Sequence, residues 1–129
     1  MDPFKAVTAF HKHFSMHWHR KKPDLLPGHL YLARAKFLIE ELHEFHDAHH
    51  AGDIEQCLDA MIDIIYVASG TLHLMGFSAS RQAEAFKRVH AANMKKRKVR
   101  SEKESKRGTL WDVKKPKNWQ PPDLRDLCQ

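Results

Sequence analysis

The sequence is short of the residues that build turns and sheets. Its 129 residues include five glycines and six prolines, mostly outside the middle of the chain, which argues against a propeller, a sandwich or an array of linked modules. It has two cysteines, Cys57 and Cys128, at no metal-binding or redox spacing, so a disulfide framework is excluded and a reducing cytoplasm is expected. Although 42% of residues are hydrophobic, no uninterrupted apolar run approaches the roughly 18–20 residues that cross a bilayer, so a soluble protein without a membrane partner is expected. The start, MDPFKAVTAFHKHF, lacks the basic-then-apolar plan of a secretory signal and reads as part of the fold. The length suits one domain.

Acidic residues are scarce in only one part of the chain. Residues 1–80 hold seven Lys/Arg against ten Asp/Glu, whereas residues 81–129 hold 15 against six. A second part with a net charge of +9 is suited to meet an anion: a nucleic acid, a membrane surface or a phosphorylated small molecule.

The abundant signal is helical periodicity. Phe4, Val7, Phe10, His11 and Phe14 recur on one face and predict a helix from Pro3 to about His17, and RKKPDLLPG then forces a loop at about residues 20–28. A second helix is predicted over His29–His50, closed by Gly52. A third, capped by Asp53, is predicted over about 54–75. A fourth should start near Ser78 or Ser80 and reach about Lys98. The expected fold is all-α, an antiparallel bundle of about four helices over residues 1–98, followed by an irregular basic arm over 99–129; no alternating strands are expected.

Carboxylates interrupt this apolar pattern. At 100° per residue, Glu41 and Glu44 fall in the same arc as Phe37, Phe45 and Ala48, while Asp59 and Asp63 share a stripe with Ile62, Tyr66 and Gly70 on a helix apolar almost all round, which should be buried. Burying several unpaired carboxylates would cancel the stability of a small domain, so positive charge is required among them. Basic side chains such as Arg34, Lys36 or Arg88 could supply it, as could hard divalent cations. Four oxygen donors without cysteine suit Mg²⁺ or Mn²⁺ better than Zn²⁺. Eleven histidines invite a zinc reading, but His43, His46 and His50 point away from the carboxylates, and neither they nor the His13–His17 pair has an HExxH or cysteine context.

The ordered set EELHE, a short turn and DAMIDIIYVASGTLHLMGF resembles the core of the all-α nucleoside triphosphate pyrophosphohydrolases. This MazG-like superfamily also contains phosphoribosyl-ATP pyrophosphohydrolase and the dimeric dUTPases, and the bacterial and phage MazG-like proteins are the nearest in pattern. FHKHF, RAKFLIEE, VHAANMKK and the tail WDVKKPKNWQPPDL extend the likeness over most of the chain. The resemblance implies Mg²⁺ held by Glu41, Glu44 and Asp63 with help from Asp59, whose four-residue spacing departs from the commoner E-x-x-D, and Glu40 beside them or near the attacking water. It implies cleavage between the α- and β-phosphates of (d)NTPs, with Glu41 or Glu44 accepting the proton of water, Asn93 on the nucleoside and Lys96 on the phosphates. Lys95 and Arg97 stand alongside; Tyr66 is a candidate for the sugar or base, and Trp18, Trp111 and Trp119 for stacking. It further implies a homodimer or homotetramer in the cytoplasm of a bacterium or phage-infected host, with no nucleic-acid partner. Two other readings compete: a non-enzymatic helical protein binding nucleic acid through KKRKVR and its neighbours, and an inactive relative kept for assembly or regulation.

Overall fold

The computed structural model describes residues 1–17 and 20–129 and is mainly helical: α1 (Pro3–His13), α2 (Gly28–His50), α3 (Ile54–Leu74) and α4 (Ala79–Asn93), with one two-stranded ribbon, β1 (Arg97–Lys98) and β2 (Val113–Lys114). Trp18 lies outside the described residues. The chain forms two compact units, Met1–Gln82 with Cys128–Gln129, and Ala83–Leu127.

In the first unit each helix boundary has a local cause. Asp2 caps α1 by accepting from the backbone N–H groups of Phe4 (2.9 Å) and Lys5 (3.2 Å), with Pro3 in the first turn, where its missing N–H costs nothing. The helix stops at His13, four residues short of the predicted end. Ser15 takes φ +56°, its N–H donates to Lys12 O, and Met16 N–H returns to His11 O at 2.8 Å, a closure usually built on glycine. The His11 ring adds a Nδ1 contact of 3.0 Å to Met16 O. The same closure ends α2, where Gly52 (φ +72°) donates to His49 O and Asp53 to Ala48 O, and α3, where Gly76 (φ +97°) and Phe77 donate to His73 O and Leu72 O. Asp53 then caps α3 by accepting from Gln56 N–H at 3.0 Å.

The short Ala51–Asp53 link makes α2 and α3 antiparallel neighbours, and α1 lies against α3. Small side chains floor these contacts: Ala48, Cys57, Ala60, Val67, Ser69 and Gly70 are all buried, with Val7 and Leu74. Gly70 lets the side chains come close: a Cβ there would stand 2.5 Å from His11 Nε2 and 2.9 Å from an Arg34 guanidinium nitrogen, so those side chains would have to shift. Ser69 donates to Gln82 Oε1 (2.7 Å) and Gln82 Nε2 to Phe77 O (3.0 Å), which settles a buried polar pair within the unit.

The chain by itself covers one side of the apolar third helix. One side of α3 packs on α1 and α2, but Ile54, Leu58, Ile62 and Ile65 are exposed, as are Leu32, Ile39 and Leu42 of α2. The two-helix contact covers only one stripe of each rod. Among the described residues α3 alone is long and apolar enough to cross a membrane, with a mean hydropathy of 1.3; Asp59 and Asp63 sit on it and one face is packed on α1 and α2.

In the second unit α4 ends at Asn93 instead of about Lys98. Met94, Lys95 and Lys96 form a closing turn, and Arg97–Lys98 pair antiparallel with Val113–Lys114, so a ribbon replaces the predicted last turn of helix. Residues 99–129 are otherwise irregular apart from two short 3₁₀ turns, Glu102–Glu104 and Arg125–Cys128. Side chains hold them. Arg88 bridges Glu84 (2.9 Å) and both oxygens of Asp126, Arg97 binds Glu104 (2.9 Å), Arg107 pairs with Asp112, and Trp119 Nε1–H donates to Ala92 O at 2.7 Å.

Candidate active site

The antiparallel α2–α3 pair brings Glu41 and Glu44 of one helix together with Asp59 and Asp63 of the other. Their mutual fields mark the proximity. Glu41 is held above the ordinary carboxylate range first by burial, then by the charges of Glu44 and Asp63, by a hydrogen bond with Glu44 and by Asp59. Asp63 is likewise pushed up, by burial and then by Asp59 and Glu44.

The four are not buried alike, and the expectation of a carboxylate set inside the core is corrected. Glu41 is 6% exposed, Asp63 is half-buried, and Glu44 and Asp59 reach solvent, so the group forms a rim with one member sunk beneath it. The reason is geometric. A contact between two helices hides only the residues on the shared stripe, and the flanking positions of each pair open outward.

The basic candidates for neutralising this charge are engaged elsewhere. Arg34 donates to Thr71 Oγ1 (3.0 Å) and Val67 O (2.8 Å) with its guanidinium 5.6 Å from the Phe37 ring, and Arg88 is held by Glu84 and Asp126. Lys36 is exposed. Among the described residues no ion pair reaches Glu41, Glu44, Asp59 or Asp63. Glu41 Oε2 is buried without a hydrogen-bond partner, a state that costs about 1–3 kcal/mol in a neutral group and more in a charged one. Among the described residues the carboxylates form no salt-bridge network within the chain.

As the side chains are placed, no group of three His, Cys, Asp or Glu among the described residues is closed tightly enough to enclose a metal ion. The donor chemistry nonetheless fits a hard divalent cation: oxygen ligands only, an orphaned buried oxygen among them, and two carboxyls whose proton affinity is raised first by burial and then by the neighbouring carboxylates.

The other predicted residues divide by location. Glu40 is exposed on α2. Tyr66 is half-buried, its ring perpendicular to that of Phe10 with centroids 5.4 Å apart, which engages it in the α1–α3 packing. Asn93, Lys95, Lys96 and Arg97 belong to the second unit: Asn93 and Lys95 are exposed, Lys96 lies over the Trp119 ring at 5.3 Å, and Arg97 is committed to Glu104. His46 and His50 stack at 4.5 Å and, with His43, are exposed, as the face assignment of α2 expects.

Sequence reasoning missed two features. One is a histidine pair, His11 buried and His73 half-buried: the rings lie 5.1 Å apart, and burial is the first cause lowering the proton affinity of each. Apolar periodicity had placed His11 on the inner face, but its partner from α3 could not be read. The other is a ring of cations on the second unit, from lysines that look like a solvated tail in one dimension.

Compared with family models, the chain matches that of phosphoribosyl-ATP pyrophosphohydrolase over residues 7–93, from within α1 to the end of α4. No curated protein matches it individually.

Proposed function

This chain belongs to the phosphoribosyl-ATP pyrophosphohydrolase family, which supports a nucleotide pyrophosphohydrolase, and from that premise we propose that it cleaves the α–β phosphoanhydride of (d)NTPs to (d)NMP and pyrophosphate. The carrying observation is Glu41: a buried carboxylate with an unpartnered oxygen, crowded by three more carboxylates and met by no basic side chain.

Glu41, Glu44 and Asp63, with Asp59, would hold Mg²⁺, or Mn²⁺ in its place. When bound, the cation supplies charge to the phosphate oxygens. The rest is done by the chain. Glu41 or Glu44 takes the proton of the attacking water, and the raised proton affinity of Glu41, set first by its burial, suits that task. Glu40 supports this pair. Asn93 takes the nucleoside, and Lys96, with Lys95 and Arg97, the phosphates; Arg97 reaches substrate only by leaving Glu104. Tyr66 packs α1 against α3 and stands on the Asp63 stripe, where it can meet the sugar or base.

A homodimer or homotetramer supplies the cover that α2 and α3 lack. Leu58, at 64% exposure, lies with Ile54, Ile62 and Ile65 on α3 in an apolar surface far more extensive than scattered single residues. Light scattering should give twice or four times the 15.1 kDa chain mass; a monomer removes this part of the proposal.

The test of the activity is release of pyrophosphate from the eight common (d)NTPs with Mg²⁺. Product should appear for at least one and vanish in Glu41→Gln. Metal-independent release, or release unaffected by that substitution, overturns the reading.

A further inference from the structure

We propose that the second unit carries a polyphosphate-binding hollow, bounded by Lys96, Lys106, Lys114 and Lys115, that takes a pyrophosphate ion or the phosphate chain of a nucleotide. The hollow measures about 430 Å³ and is lined by these four lysines with Glu104, Arg107 and Val113, all within Ala83–Leu127. That volume lies in the range of small-ligand pockets.

The cations are not already spent. Glu104 is met by its own partners: Arg97 at 2.9 Å, the Arg100 N–H at 2.6 Å and Lys114 at 3.7 Å, which hold its carboxyl down to about 2. Arg107 is tied to Asp112. Among the described residues Lys96, Lys106 and Lys115 have no carboxylate partner. Three unmatched ammonium groups around one hollow raise the local potential and draw in an anion of several charges, which a di- or triphosphate chain carries and a single phosphate does not.

The fold also holds them there. Lys96 and Lys115 both lie over the ring of Trp119, at 5.3 and 4.7 Å, and that ring is anchored through Nε1–H to Ala92 O. The β1–β2 pairing places Lys114 opposite Arg97, joining the strand that follows Lys96 to the one that precedes Lys115. Lysines 18 and 19 residues apart in sequence thus converge.

A compact ligand is favoured over a nucleic-acid strand. Single-strand binders run a charged groove past open aromatic faces, whereas among the described residues Trp119 carries Lys96 and Lys115 over its ring and Trp111 carries Lys98 at 5.5 Å.

The inference shares only Lys96 with the proposed substrate contacts and does not depend on the carboxylates. The test is calorimetric titration in EDTA, with the full chain carrying Glu41→Gln, so that neither hydrolysis nor divalent metal enters. Tripolyphosphate should bind with a salt-sensitive affinity that falls by about tenfold or more in Lys106→Glu/Lys115→Glu, whose circular dichroism matches the parent, and recovers in Lys106→Arg/Lys115→Arg. Titrating dATP alongside separates the two sources: tighter binding of dATP assigns the site to a nucleotide, and equal or weaker binding assigns it to inorganic polyphosphate. Three outcomes overturn the proposal: affinity indifferent to the charge reversals, sulfate binding as tightly as tripolyphosphate, or an oligo(dT) strand binding more tightly than either phosphate ligand. Because metal and turnover are absent, failure here leaves the pyrophosphohydrolase reading intact, and failure of catalysis leaves this one.

Discussion

Replacing Glu41 by Gln removes one charge and almost no volume, and its effects on stability and on activity should have opposite signs. In the metal-free protein Glu41 is buried, its Oε2 is unpartnered, and Glu44, Asp63 and Asp59 repel it. A carboxyl whose folded proton affinity is raised destabilises the fold above its unfolded pKa: the cost appears as pH rises from about 4.3 through the folded value and is complete above it. Gln carries no such charge, and its amide can donate to Glu44. At pH 7 in EDTA the variant should gain about 1–3 kcal/mol, the cost of an unsatisfied buried acceptor, seen as a rise in Tm of roughly 3–6 °C for each kcal/mol in a chain of this length. At pH 4 the wild-type carboxyl is itself protonated and the difference should close. With Mg²⁺ and substrate the same variant should lose at least about a hundredfold in kcat, the scale of a lost general base. A Glu41→Gln protein less stable than wild type in EDTA at pH 7 would show that the carboxylate has a stabilising partner and refute the reasoning.

Three further expectations follow from particular contacts. His11 and His73 have lowered proton affinities, so they stabilise the fold while neutral, and that contribution is lost as pH falls from about 6.5 through their folded values; urea midpoints between pH 7 and 5 should decline less steeply in His73→Gln, and an unchanged decline rejects the assignment. Gly70→Ala drives a methyl into the His11 ring and the Arg34 guanidinium and should lower stability by about 1–3 kcal/mol by urea titration; a neutral result means that both side chains can withdraw. Asp59→Asn should raise the Mg²⁺ concentration for half-maximal activity by about tenfold, as loss of a supporting oxygen does, whereas an unchanged value would confine the cation to Glu41, Glu44 and Asp63.

Most of the fold was legible because its signals are local. Asp2, Asp53, Gly52 and Gly76 punctuate the chain through hydrogen bonds that span a few residues, and all four helix starts and two helix ends fall within a residue or so of their predicted places. The two misplaced ends were decided by non-local or unusual chemistry. Ser15 closes α1 in a conformation that favours glycine, with the His11 ring fastening Met16, and α4 yields to a strand whose partner lies sixteen residues away. The carboxylate faces were legible too, since helical periodicity assigns a direction to every residue. How deep each carboxylate sits was not, because burial depends on the neighbouring helix.

The sequence by itself determined the helical class, the α2–turn–α3 hairpin, the opposed acidic pairs and the split between an acidic first part and a basic second part. Periodicity, capping and composition are one-dimensional properties and need no partner to act. Only the tertiary structure decided that Glu41 alone is sunk while Glu44 and Asp59 stay at the rim, that Arg34 and Arg88 are spent elsewhere, and that lysines distant in the chain ring one hollow. Each of those outcomes depends on which side chain reaches a shared space first, and that competition is settled by packing.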